Sequence, residues 1–274
     1  MRPFICDCGR LTNDPPCDYS TRGDFTCFRL SQRIIETMFS AFTDSVLDLE
    51  RAVILLGQMA EKDVVNVMMA TIEGSDELAD EIIHFDDEID RLDEGITWMV
   101  QEIFSTFNPQ SGDLRFLLAV PRVSSHLELI GDLCVEVARH MKEMEGNRTA
   151  VLDRLNLIPL FESVIGMTSG AVNALIDRSA KRAWRAMAIL DASKRTFRAN
   201  LDILSTLSDK DVTPYNRVRL TLICNALYVM ACNAGDIAAN VVYITHGVDV
   251  RYQRAKAMEE LSGKKPDDPK SLPG

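Results

Sequence analysis

The sequence predicts an all-α fold built as two tandem three-helix bundles. Three observations carry that expectation. Apolar residues recur at alternating three- and four-residue spacings through long stretches, which is the period of a helix with one buried stripe. Strand-type alternation is absent. Motifs of the first half return in the second about 105 residues later.

The first bundle is assigned to residues 34–147. Phe42, Val46, Leu49, Val53, Leu56 and Ala60 form its first stripe. Leu78, Ile82, Phe85, Ile89, Leu92, Ile96, Met99 and Ile103 form the second, and Leu127, Ile130, Cys134, Val137 and Met141 the third. Breaks fall at Gly74-Ser75, where the serine can cap a helix start, and at Asn108-Pro109 through Gly112. The second bundle is assigned to 153–256. Phe161, Val164 or Ile165, Ala171 or Val172, and Leu175 make one stripe; Ala183, Met187, Leu190, Phe197, Leu201 and Leu204 make the next, with Lys194 as a lapse. Thr213-Pro214 opens the last helix, with Thr as cap and Pro at the first helical position. That helix runs through Leu220, Leu227, Ala234 and Val241 to Gly247. Outside the bundles, residues 1–33 are expected to be a flexible extension and 257–274 a polar, Pro-containing tail.

Composition bounds the function. The 274 residues carry 30 basic and 41 acidic side chains, a formal net charge of -11. That argues against gripping nucleic-acid phosphates, which depends on Lys and Arg, and against an anionic membrane surface as the main partner. No apolar run approaches the ~20 residues that cross a bilayer, so no membrane insertion is expected. The first residues, Met1 to Asp7, lack the apolar core of a secretory signal, and the expected compartment is the cytoplasm. Cys134, Cys224 and Cys232 read as small buried hydrophobes. Cys6, Cys8, Cys17 and Cys27 crowd the extension at a spacing unlike the paired C-x2-C of zinc sites, leaving a mobile polar segment or a small metal knuckle.

Chemistry concentrates on two carboxylate pairs. Asp86 and Asp90 lie one turn apart on the second helix; Glu128 and Asp132 lie one turn apart on the third. Their mean position is residue 109, in the turn between the two helices. An antiparallel hairpin therefore sets both pairs at one height across one groove. Carboxylates brought together repel unless a cation lies between them, and oxygen-only donors suit hard or borderline ions such as magnesium, manganese or iron. Solvated acidic faces also produce such pairs by chance. In the second half the matching positions, at a separation of 105 on the second helix, are Asp191, Arg195, Cys232 and Asp236. Arg195 puts a cation in a ligand's place, so metal at Asp191 and Asp236 is doubtful.

These residues resemble the PhoU family of phosphate-transport accessory regulators. The resemblance rests on Asp86-Asp87-Glu88-Ile89-Asp90, on Glu128-Leu129-Ile130-Gly131-Asp132 with the preceding Gly112-Asp113-Leu114-Arg115 and His126-Leu127, and on Val241 through Asp249. It covers about Phe42 to Tyr252. It implies two three-helix bundles, iron, zinc or other metal bound through the acidic motifs, and restraint of phosphate uptake and starvation signalling. It further implies contacts with the ATPase subunit of a phosphate ABC transporter and with a phosphate-sensing histidine kinase; a homodimer is compatible with it. Arg195 and Cys232 depart from the acidic pattern, and Leu129 stands where an Arg is common. The implied protein is a non-enzymatic negative regulator.

Rival readings leave weaker marks. A di-iron carboxylate enzyme needs two Glu-x-x-His motifs, and only Glu81-Ile82-Ile83-His84 is present. His126, His140 and His246 form no ligand spacing. Ser262-Gly263-Lys264-Lys265 matches only the end of a P-loop, with Met258 where the first glycine belongs and no strand before it. The alternatives kept open are a metal-binding carboxylate bundle and a metal-free helical adaptor, both unrelated to phosphate control.

Overall fold

A computed structural model describes residues 24–146, 148 and 152–250, with side chains from residue 37 onward. Seven helices follow one another among these residues: α1 (Asp24–Glu73), α2 (Asp76–Thr106), α3 (Ser111–Glu143), α4 (Leu157–Ile176), α5 (Ala180–Ala188), α6 (Leu190–Thr206) and α7 (Pro214–His246). No strand occurs among the described residues. The start of α1 differs from the sequence expectation: residues 24–33, assigned to the extension, are helical, since Gly23 is the last helix breaker before a long permissive run. Residues 1–23, including Cys6, Cys8 and Cys17, the side chain of Cys27, and the tail from 251 lie outside the described residues.

The chain divides into two compact units, Met1–Asp44 and Ser45–Gly274. In the first, Thr43 donates to the Phe39 carbonyl at 2.9 Å. All of the chemistry below belongs to the second.

Within the second unit the helix ends are set by the residues that the sequence marks. Ser75 caps α2 by accepting from the Leu78 amide; Thr213 caps α7 by accepting from the Asn216 amide, with Pro214 beginning the helix. Gly247 closes α7 at φ 71, a left-handed conformation that favours glycine. The expected second helix of the latter half is present as α5 and α6, interrupted only at Ile189, where the bonding tightens to the Ala186 carbonyl.

Helices α3 and α7 form the centre. They run antiparallel in one register from end to end: Arg115 Nε donates to the Ile244 carbonyl at 3.4 Å, His126 Nδ1 lies 2.7 Å from Asn233 Oδ1, and Arg219 reaches His140 at 3.3 Å. Asn216, buried, closes the far end by pairing with both backbone groups of Glu145 at 3.0 and 2.8 Å. Arg115 and Arg219 are 104 residues apart, and each crosses to the other bundle's third helix. The contact is therefore pseudo-symmetric, consistent with an internal repeat.

The structure sets that repeat at 104 throughout. Ser75 and Ser179, 104 apart, make the same cap; Ser179 accepts from the Arg182 amide. Buried Ala79, Ile82, Ile89, Ile96 and Val100 correspond to buried Ala183, Ala186, Ser193, Asn200 and Leu204. The partners of Asp86 and Asp90 are thus Leu190 and Lys194, not Asp191 and Arg195. The sequence offset slips by one because the buried stripe of the second half includes polar Ser193 and Asn200; matching Ile96 to an apolar residue selects Leu201 instead. Asn200 earns its burial by accepting from the Asn156 amide and donating to its carbonyl.

Candidate metal centre

The α2–α3 hairpin builds the site. Its turn includes Asn108 and buried Pro109, and its two legs stay in register: Ser124 donates to Asp93, and Lys142 pairs with Asp80. Near the open end Arg148 forks onto Asp76 at 2.6 and 3.1 Å, which holds the Asp76 carboxyl below its ordinary range. Between these ties lie the four carboxylates at one height.

Asp86, Asp90 and Asp132 each offer an oxygen within 4.8 Å of the others. Glu128, one turn before Asp132 on α3, lies close enough for its carboxyl to feel the charges of Asp132 and Asp90. The two helices come this close because residue 131 is glycine. A Cβ there would stand 3.0 Å from Ile89 Cδ1 and 3.4 Å from its Cγ2, with Asp86 Oδ1 at 4.0 Å. Ile89 itself is fully buried beneath the cluster, in which Asp86 and Glu128 are half-buried and Asp90 and Asp132 are exposed.

Electrostatics follow from that placement. Glu128 is pushed up to about 7, first by desolvation and then by Asp132, Asp93 and Asp90. Asp86 is raised by desolvation and by Asp132 and Asp90, and Asp90 by desolvation and by Asp132 and Asp87. Asp86 Oδ1 is buried without a hydrogen-bond partner. An orphaned carboxylate oxygen among like charges is what a cation would satisfy. The donor set is all oxygen, three carboxyls converging and a fourth adjoining, and it fits a hard or borderline divalent ion.

One carboxylate was not singled out from sequence. Asp63 on α1 is 2% exposed and close enough to Asp86 to feel its charge. Burial, partly offset by Lys62, pushes it up to about 7. Its signal in the sequence is a lone Asp continuing the 53, 56, 60 stripe into Val64 and Val67, where an apolar residue belongs. Cys134, fully buried, lies within the field of both Asp63 and Asp86, and burial drives its thiol well up. Cys224 is also buried, whereas Cys232 is only half-buried.

The second half assembles nothing comparable among the described residues. Asp191 is exposed, Arg195 is exposed, and Asp236 is half-buried with no third carboxyl converging on it. With Leu190 and Lys194 at the ligand-equivalent places, one donor is apolar and another cationic. The histidines serve elsewhere. His126 binds Asn233; His140 sits between Glu136, Glu143 and Arg219. His84 is exposed, with Nδ1 2.7 Å from the Asp80 carbonyl oxygen.

Fold and site together define a class: paired three-helix bundles that meet through their third helices, with an acidic groove on the first hairpin. Residues 53–141 of this chain match the model of the PhoU domain. Over 220 residues the chain is 24% identical to the phosphate-specific transport system accessory protein PhoU homolog of Pseudomonas aeruginosa, covering 80% of the chain and 91% of that protein. The homolog of the same name from Clostridium acetobutylicum is 21% identical, covering 76% and 96%. Crystal structures of PhoU from Pseudomonas aeruginosa and of the PhoU phosphate transport regulatory protein from Streptococcus pneumoniae superpose with TM-scores of 0.70 and 0.68. They are 23% and 19% identical and cover 76% of this chain, with 100% and 99% of their own. Residues 53–141 thus match the PhoU domain model, and the chain is similar to PhoU proteins along most of its length.

Proposed function

We propose that this protein is a non-enzymatic accessory regulator of phosphate uptake and phosphate-starvation signalling. It acts by docking its helical surface on the ATPase subunit of a phosphate ABC transporter, on the associated histidine kinase, or on both. The observation that carries the reading is the ordered acidic hairpin within a PhoU domain, in a chain similar over four-fifths of its length to proteins named for phosphate-specific transport.

A divalent ion, iron, zinc, manganese or magnesium, would be held by Asp86, Asp90 and Asp132 with Glu128 alongside. Bound there, it supplies positive charge to a groove otherwise set by mutual repulsion, locking α2 against α3. Asp191 and Asp236 have no part in it. The protein works in the cytoplasm. Two helices, Leu157–Ile176 and Pro214–His246, are apolar enough to span a bilayer by length and composition, contrary to the expectation that no run approaches that length. Half of the first window and 67% of the second are covered by protein, so both read as core helices.

The test is retention of the cognate transporter ATPase and of the kinase's cytoplasmic portion on immobilised full-length protein, at high and low phosphate. Retention of at least one is expected. Loss of both, with the bait folded by circular dichroism, contradicts the role.

A further inference from the structure

Beside the hairpin groove, α1 and α2 enclose a cleft of about 400 Å³ that the phosphate role does not use. Its floor is Asp63, which is 2% exposed and makes no hydrogen bond or ion pair among the described residues. Glu81 and Glu88 also line it, two helical turns apart, so that their charges are spread over about 10 Å. Ile82 and Phe85 provide an apolar wall between them.

This pattern selects a ligand class. The three carboxyls do not converge: the single converging set of three donors among the described residues is Asp86, Asp90 and Asp132. A lone metal ion is therefore poorly matched. An elongated molecule with cationic ends and a methylene body is well matched, because its ends reach separated carboxylates while its body covers Ile82 and Phe85. The chain itself supplies a stand-in. The alkylammonium of Lys62 lies over the Phe85 ring, Nζ 5.4 Å from the centroid, which shows that this wall accepts such a group. Burial disfavours the charged form of the Asp63 carboxyl, and an ammonium bound against it would favour that form.

We propose that the α1–α2 cleft floored by Asp63 is a binding site for an elongated aliphatic polyamine. The site is separate from the metal groove and does not depend on the phosphate role.

Calorimetric titration of the full-length protein with spermidine tests it. Saturable binding near one per chain is expected, weakened about tenfold by Asp63→Asn and by Glu88→Gln, as for loss of one charge-assisted contact. Glu88 is exposed, so its variant keeps the fold even if the Asp63 variant does not. The Asp90→Ala/Glu128→Ala double variant should bind as the parent does. Absence of saturable binding overturns the proposal. So does binding unchanged by Glu88→Gln, binding lost in the double variant, or full displacement by an equal concentration of magnesium, which would mark a general counter-ion.

Discussion

Glu128 and Asp63 are the residues whose chemistry is most altered by the fold. Both hold protons at a pH where an ordinary carboxyl has none, Glu128 at about 7 against 4.5 and Asp63 at about 7 against 3.8. Between those values the folded chain binds more protons than the unfolded one. Stability is then greatest below the unfolded pKa and falls as pH rises through the folded one. The metal-stripped protein is therefore expected to melt at a higher temperature at pH 5.5 than at pH 8, and Glu128→Gln with Asp63→Asn should flatten that slope. Calorimetric scans across the window measure it; a melting temperature that rises from pH 5.5 to 8 contradicts it. At this scale the sequence is informative where residues share a face. Asp86, Asp90, Glu128 and Asp132 can be placed together from two four-residue spacings and one turn. Asp63 is hidden because its burial depends on packing of three helices, and a lone acid in a stripe reads as a lapse. Asp191 and Arg195 misled for the related reason that Ser193 and Asn200 are buried while polar.

Between residue and molecule stands the hairpin, whose spacing is governed by Gly131. Ile89 fills the gap left by the absent side chain, and the two carboxylate pairs meet because the backbones lie close there. Gly131→Val would drive branched carbons into Ile89. Overpacking of this kind costs about 1–3 kcal/mol, and it would also part the pairs. The variant is expected to melt lower and to lose metal, while Gly95→Val on α2, where a Cβ meets nothing within 4 Å, should keep its metal. Equal metal content in both variants would contradict the role given to Gly131. Helix starts are the most legible elements, since Ser75, Thr213 and Pro214 cap by local chemistry alone. The α1 start is less so, because the apolar stripe begins well after the helix does.

For the whole molecule, α3 and α7 make a spine with a bundle on either side, and the charge of the bundles differs. Exposed Glu77, Glu81 and Glu94 on α2 correspond, at 104 residues, to exposed Lys181, Arg185 and Arg198 on α5 and α6. The converging carboxylates thus lie on one bundle, and cations lie on the equivalent helices of the other. The overall excess of acid conceals this asymmetry, which emerges only when the offset is fixed by caps and burial. Among the described residues one set of carboxylates converges, on the first bundle, so one metal per chain is the expected stoichiometry. The most direct measurement is metal content by inductively coupled plasma mass spectrometry on protein purified without added metal, set against the Asp90→Ala/Glu128→Ala variant. A divalent metal near stoichiometry that disappears in the variant is the predicted result; a metal content unchanged by the two substitutions, or no metal retained by the parent even after incubation with iron, zinc, manganese or magnesium, would contradict it.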